Sequence, residues 1–285
     1  MKLLRYGPAG REKPGCLDAQ GRVRDLSGKL AGIDAAALSP QGLAALRGLD
    51  VESLPLVAEP GRIGTPYTGM EKFLCVGLNY SDHVAESGAE MPTEPVLFNK
   101  WSRATGPNDP IVVPKGSVKT DWEVELGVVI GSKARYIALE DALSCVAGYC
   151  VVNDVSEREY QIERGGTWDK GKGCDTFGPI GPWLVTSDEV PDPQDLSMWL
   201  DVNGKRFQNS NTCNMIFGVA YLIHYISQFT TLYPGDLIST GTPPGVGLGQ
   251  KPPIYLKPGD VVRLGIAGLG EQRQEIRAWD AALLD

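Results

Sequence analysis

One run of ten residues, Asp121-Trp122-Glu123-Val124-Glu125-Leu126-Gly127-Val128-Val129-Ile130, limits the architecture of this chain more than any other. Its β-branched and aliphatic residues favour an extended strand. Side chains two apart on a strand share a face, so Glu123 and Glu125 point one way while Trp122, Val124 and Leu126 point into the opposite layer. Two like charges held side by side repel unless something positive lies between them, and a divalent cation is the simplest candidate. The bland alternative is the solvated outer face of an edge strand. A second apolar run, Tyr149-Cys150-Val151-Val152-Asn153-Asp154, ends on another acid. Taken alone, Asp154 is better explained as a cap for the following turn. Taken together, three carboxylates without clustered His or Cys describe an all-oxygen site suited to Mg²⁺ or Mn²⁺. The chain has only two histidines, which removes any multi-His site and disfavours zinc.

One of those histidines has an acid close by. In Gly77-Leu78-Asn79-Tyr80-Ser81-Asp82-His83-Val84-Ala85-Glu86-Ser87, a cap at Ser81 or Asp82 would start a short helix and place His83 and Glu86 three residues apart on one face. That is the outline of a general-base pair, and equally of an ordinary surface pair. His224 falls inside a longer periodic segment, away from its apolar stripe, and reads as structural.

Strand signals recur at Phe73-Leu74-Cys75-Val76, Val96-Leu97-Phe98, Val124 to Ile130, Val146 to Val152 and Val261-Val262-Arg263-Leu264, separated by Gly, Pro and Asp. One long helix is expected from Asn214 to Phe229, because Met215, Ile216, Val219, Leu222, Ile223 and Ile226 recur at helical spacing. Near the start, Leu3 to Tyr6 and Arg22 to Leu26 read as strands around a turn at Asp18 to Gly21. Ser39-Pro40 reads as a helix start. Pro55 to Pro66 reads as a linker, which gives a small N-terminal α+β domain over 1–66 and a main domain over 67–285. With 35 Gly and 21 Pro among 285 residues and few helical segments, the fold class is α+β with a rolled, mostly antiparallel sheet.

A net charge of −8 and no basic cluster argue against a nucleic-acid partner. No apolar stretch is long enough to span a bilayer, so no membrane role is expected and the cytoplasm is the expected location. The six cysteines show no CxxC pair and read as buried free thiols.

Six segments in order, GLNYSDHVAE, KTDWEVELGVVIG, GYCVVNDVSEREYQ, KGKGCDTFGPIGPW, STGTPPGVG and LKPGDVVRLGIAGLGE, resemble the fumarylacetoacetate hydrolase family over most of Phe73 to Glu271. The resemblance implies the fold of that family's C-terminal domain, a rolled mixed β-sheet. It implies metal ligation by Glu123, Glu125 and Asp154, with Mg²⁺ as cofactor and Mn²⁺ or Ca²⁺ as substitutes. It implies that His83 and Glu86 activate water, that Lys172 acts in catalysis, and that Arg158, Gln161 and Thr242 contact the substrate. The implied reaction is hydrolysis of a C–C bond in a small 2,4-diketo acid to pyruvate and a second acid, by a homodimer. The chain resembles most the bacterial branch labelled 2,4-diketo-3-deoxy-sugar-acid hydrolase or ureidoglycolate lyase. Animal fumarylacetoacetases carry a further aspartate ligand, and this chain has no Asp between Glu71 and Asp82. Oxaloacetate decarboxylation, keto–enol tautomerisation or ureidoglycolate cleavage on the same metal site are the alternatives, with a non-catalytic metal-binding relative last.

Overall fold

The computed structural model describes residues 1–87 and 90–281, apart from the side chains at 84, 85 and 87. Among them are sixteen strands: β1 (Lys2–Tyr6), β2 (Lys13–Leu17), β3 (Val23–Asp25), β4 (Phe73–Gly77), β5 (Val96–Asn99), β6 (Ile111–Val112), β7 (Thr120–Asp121), β8 (Val124–Ile130), β9 (Val146–Asn153), β10 (Ser156–Glu157), β11 (Ile180–Thr186), β12 (Ser197–Val202), β13 (Lys205–Asn211), β14 (Leu237–Ser239), β15 (Val261–Ile266) and β16 (Gly270–Arg277). The α-helices are few and short: α1 (Ala35–Leu38), α2 (Pro40–Arg47), α3 (Ser81–Ser87), α4 (Asp169–Lys172) and α5 (Val219–Ile226). The class is α+β.

A nine-stranded sheet runs in the order β3-β2-β1-β11-β9-β8-β14-β4-β5, and a five-stranded sheet in the order β13-β12-β15-β16-β6. Nearly all pairings are antiparallel, with β14 on β4 and β16 on β6 as parallel exceptions. Residues alternate between two cores. Trp122, Val124, Leu126 and Val128 join Leu200 and Leu264 between the sheets. On the other face of the large sheet, Val129, Cys150 and Val152 pack with Leu38, Leu43 and Leu46 beneath α1 and α2. The face that carries Val129 at one end of β8 carries Glu125 and Glu123 at the other, so one strand face passes from covered core to acid cluster.

The edge-strand alternative for Glu123 and Glu125 does not hold. β8 is flanked by β9 and β14, with Glu125 opposite Val152, and both glutamates are buried. The first strands do not stand apart: β1 pairs with β11, Leu3 opposite Leu184, which joins residues 2–25 to the large sheet. The turn at Asp18 to Gly21 joins β2 to β3. β2 was not expected, because Pro14 and Gly15 hide its pattern.

Ser39 caps α2 through a bond from the Gly42 N–H, with Pro40 in the first turn, as expected. The long helix is shorter than its periodicity suggests. α5 begins at Val219: the Asn79 side-chain oxygen and carbonyl accept the N–H groups of Phe217 and Ile216, and Met215 bridges Tyr80, so this stretch bends toward Asn79. His224 Nδ1 donates to Ile137 O at 2.7 Å, a structural contact. Cys16, Cys75, Cys145 and Cys150 are buried thiols, whereas Cys213 is exposed and Cys174 half-buried. No helix among the described residues is long and apolar enough to cross a membrane.

Candidate metal centre

Glu123 precedes β8, Glu125 lies on it, and Asp154 follows β9. The strand register brings the three together: Asp154 N–H bonds Glu123 O at 2.9 Å. One carboxylate oxygen from each lies within 4.8 Å of the others, and all three residues are buried. Glu125 Oε2 accepts from Ser239 Oγ at 2.6 Å and from Gly241 N–H at 2.9 Å. Gly241 holds φ at +99°, and a Cβ there would sit 2.8 Å from the Asn79 side chain, so only glycine presents this N–H to the acid.

Three cations face the acids. Lys172 Nζ donates to Glu123 Oε2 at 2.6 Å and Asp154 Oδ2 at 2.7 Å. Arg158 Nη2 meets Glu123 Oε1 at 2.7 Å, while its Nε donates to Asp121 Oδ2 at 2.8 Å and its Nη1 to Gln161 Oε1 at 2.9 Å. Lys100 Nζ lies 2.5 Å from Asp154 Oδ1. That contact is ionic rather than a directed hydrogen bond, since Oδ1 has no partner of hydrogen-bonding geometry. Lys170, two residues before Lys172, is exposed and bonds Arg164 O instead.

The electrostatics divide the acids. Burial works against the Glu123 charge, but Lys172 and Arg158 outweigh it and bring the carboxyl down to about 2. Glu125 goes the other way: burial, then the charges of Asp154 and Glu123, push it well above the usual carboxylate range. Burial opposes the Lys172 charge, yet Asp154 and Glu123 hold its ammonium protonated. Glu125 is therefore the acid whose negative charge the local cations leave unbalanced, and without a further cation its protonated form is favoured. A divalent cation answers both that imbalance and the oxygen-only donor set, so the residues fit one.

His83 and Glu86 lie on α3, with His83 Nδ1 3.2 Å from Glu86 Oε2. The Glu86 carboxylate also accepts the Gly245 N–H, at 3.0 and 3.1 Å. Burial raises its pKa, but the His83 and Gly245 bonds leave it lowered. The Gly245–Gly249 segment is in turn tied to the acid strand, because Asp121 accepts from Gly247 N–H at 2.6 Å and Leu248 N–H at 2.9 Å.

A cavity of about 380 Å³ is lined by His83, Glu86, Glu123, Glu125, Arg158, Gln161, Lys172 and Thr242, eight of the nine residues singled out in the sequence. Asp154 lies behind it, joined through Lys172. Thr242 is already engaged: its hydroxyl donates to Val124 O at 3.0 Å and accepts from Gln208 Nε2 at 2.8 Å. A ligand oxygen that accepts from this hydroxyl has to replace the Val124 bond. Sequence reasoning missed Lys100, Asp121 and Gln208, whose partners lie 30 or more residues away, and the wall formed by Leu78, Phe98, Trp168, Val246 and Leu248. Phe98 and Trp168 meet edge-on at 5.5 Å, and the Lys172 ammonium lies 5.1 Å from the Phe98 ring centre. Only the acidic place of Asp121 within its motif offered a signal.

Residues 72–277 match the family model for the C-terminal domain of fumarylacetoacetate (FAA) hydrolase. A Burkholderia multivorans protein provisionally named a hydrolase is 64% identical over 280 residues, 98% of this chain and 99% of its own. Among solved structures, 2-hydroxyhepta-2,4-diene-1,7-dioate isomerase from Mycobacterium marinum is similar at TM-score 0.75 and 30% identity, covering 98% of both chains. Maleylpyruvate hydrolase from Sphingobium sp. SYK-6, in complex with manganese(II) and pyruvate, is similar at TM-score 0.79 and 27% identity, covering 98% of this chain and 100% of its own. With its family-model match extending from the first strand of the site to the last strand of the second sheet, this chain belongs to the fumarylacetoacetate hydrolase family, whose members are enzymes and include hydrolases.

Proposed function

We propose that the protein is a Mg²⁺-dependent hydrolase that cleaves a C–C bond of a small 2,4-diketo acid, an acylpyruvate or a 2,4-diketo-3-deoxy-sugar acid, to pyruvate and a second acid. The observation that carries this reading is one cavity that joins a buried trio of acids to a histidine–glutamate pair. Held by Glu123, Glu125 and Asp154, the cation supplies Lewis-acid stabilisation of negative charge on a neighbouring keto oxygen.

The chain's own groups divide the remaining work. Glu86 holds His83 through Nδ1, which leaves Nε2 to take a proton from water. The water oxygen bonds to the distal carbonyl carbon; the C–C bond breaks, its electron pair stays with the pyruvate carbon, and that carbon takes up the proton that His83 removed from the water. Because Asp154 and Glu123 hold the Lys172 charge in place, Lys172 suits stabilisation of the oxyanion better than proton delivery. Arg158 offers its guanidinium, and Gln161 its amide, to substrate oxygens. Phe98 and Trp168 give the cavity an apolar wall for the carbon chain of the substrate.

The isomerase among the similar structures favours tautomerisation as the second reading. Incubation of the purified protein with 2,4-diketo acids, in Mg²⁺ and in EDTA, separates the two. Metal-dependent formation of pyruvate and a second carboxylic acid in equal amounts supports hydrolysis; tautomer exchange without pyruvate replaces it by isomerisation. Assembly as a cytoplasmic homodimer belongs to the same reading, and light scattering on the eluting protein checks the dimer.

A further inference from the structure

Lys100 is a lysine with no solvent. Its side chain is wholly buried at the end of β5, and three oxygens surround its ammonium: Asp154 Oδ1 at 2.5 Å, Lys172 O at 2.6 Å and Val155 O at 3.0 Å. A buried ammonium without such partners would shed its proton or unfold its surroundings. Here each oxygen belongs to the centre. Asp154 is one of the three acids, Val155 follows it, and the Lys172 carbonyl ends the short helix whose side chain crosses the site to Glu123 and Asp154.

Two lysines thus grip Asp154 from two sides. Lys172 takes Oδ2 from the cavity, and Lys100 takes Oδ1 from behind, without lining the cavity itself. Lys100 also ties the main chain of Lys172 to the strand behind Asp154.

We propose that Lys100 is a positioning residue: its ammonium holds the Asp154 carboxylate in place before the cation arrives, and its bond to Lys172 O sets the direction of the Lys172 ammonium. The inference takes Asp154 as a metal ligand, as in the function proposed above, but its stability arm does not need that reading.

The test is a double-mutant cycle of Lys100→Met, Asp154→Asn and the pair, melted in EDTA and in excess Mn²⁺. Loss of one partner from a buried ion pair lowers the midpoint of Lys100→Met in EDTA by roughly 6–10 °C. Asn at 154 recovers most of that loss in the double variant. Mn²⁺ raises the midpoint of Lys100→Met by more than that of the natural protein, because Asp154 there lacks its rear counter-charge. If Lys100→Met does not fold, recovery of folded protein on adding Asp154→Asn carries the same support, and its failure counts against the pair. Mn²⁺-loaded Lys100→Met shows kcat lowered by about tenfold or more with KM nearly unchanged, as a misdirected Lys172 requires. A midpoint within about 2 °C of the natural protein in EDTA, or simple additivity of the two substitutions, overturns the proposal. Lack of any Mn²⁺ effect on the natural protein sinks the metal reading instead and leaves the EDTA cycle to judge Lys100.

Discussion

The acid trio and the His83–Glu86 pair face the same cavity but are held by very different amounts of structure. Glu125 lies on β8, and Glu123 and Asp154 adjoin the ends of β8 and its neighbour β9 in the large sheet, where Lys172, Arg158, Ser239 and Gly241 bond to the three carboxylates. His83 and Glu86 sit half-buried on the seven-residue α3, which is tied down at its ends: Asp82 accepts from Ser210 Oγ and Asn214 Nδ2, and Glu86 accepts from Gly245 N–H. The difference teaches that the cation's seat is part of the core, whereas the base is an attachment that can be altered while the seat stays whole.

The sharpest way to break the comparison is to change the seat. Glu125→Gln keeps the shape and removes the charge that asks for a cation; Mn²⁺ affinity should fall by at least about a hundredfold and hydrolysis should disappear. Retained activity at saturating metal would remove Glu125 from the ligand set. Next comes the attachment. His83→Ala should leave Mn²⁺ affinity within about twofold while turnover drops by roughly two to four decades; a parallel loss of metal binding would merge the two regions.

A finer wedge is Gly249→Ala. A Cβ there would lie 2.7 Å from the Glu86 carboxyl carbon, so the new methyl displaces Glu86 without touching an acid of the trio. Turnover should fall by about tenfold at unchanged metal affinity, measured by steady-state kinetics beside a Mn²⁺ titration. The smallest effect is on stability in chelator. Glu125, raised in the folded protein, contributes stability that is fully present below about 4.5 and is lost as pH rises above it. Glu123, held down to about 2, contributes the opposite: its share is present above 4.5 and is lost as pH falls toward 2. Melting in EDTA across this range should therefore show Glu125→Gln gaining on the natural protein toward neutral pH, and no such gain would contradict the charge account.

Much of the centre was legible because strand periodicity is local. The two-residue spacing put Glu123 and Glu125 on one face without tertiary information, whereas Asp154, a turn cap when taken alone, joins them through the register of β8 and β9. What stayed hidden depended on distant partners. Lys100 reads as an ordinary lysine after β5, and only the fold sets it against Asp154. Helical spacing from Met215 onward promised a longer α5, but that stretch bonds instead to Asn79, 138 residues before Phe217. β2 was lost for a local reason, the Pro14-Gly15 pair, and its place between β1 and β3 carries β3 into the large sheet that β1 joins through β11.

The most direct measurement is calorimetric titration of Mn²⁺ into metal-free protein near neutral pH, repeated in buffers of different ionisation enthalpy. One tight event should appear, accompanied by release of a proton as Glu125 ionises, and both should vanish in Glu125→Gln. Heat that is absent from the natural protein, or unchanged in that variant, would mean that these acids hold no cation.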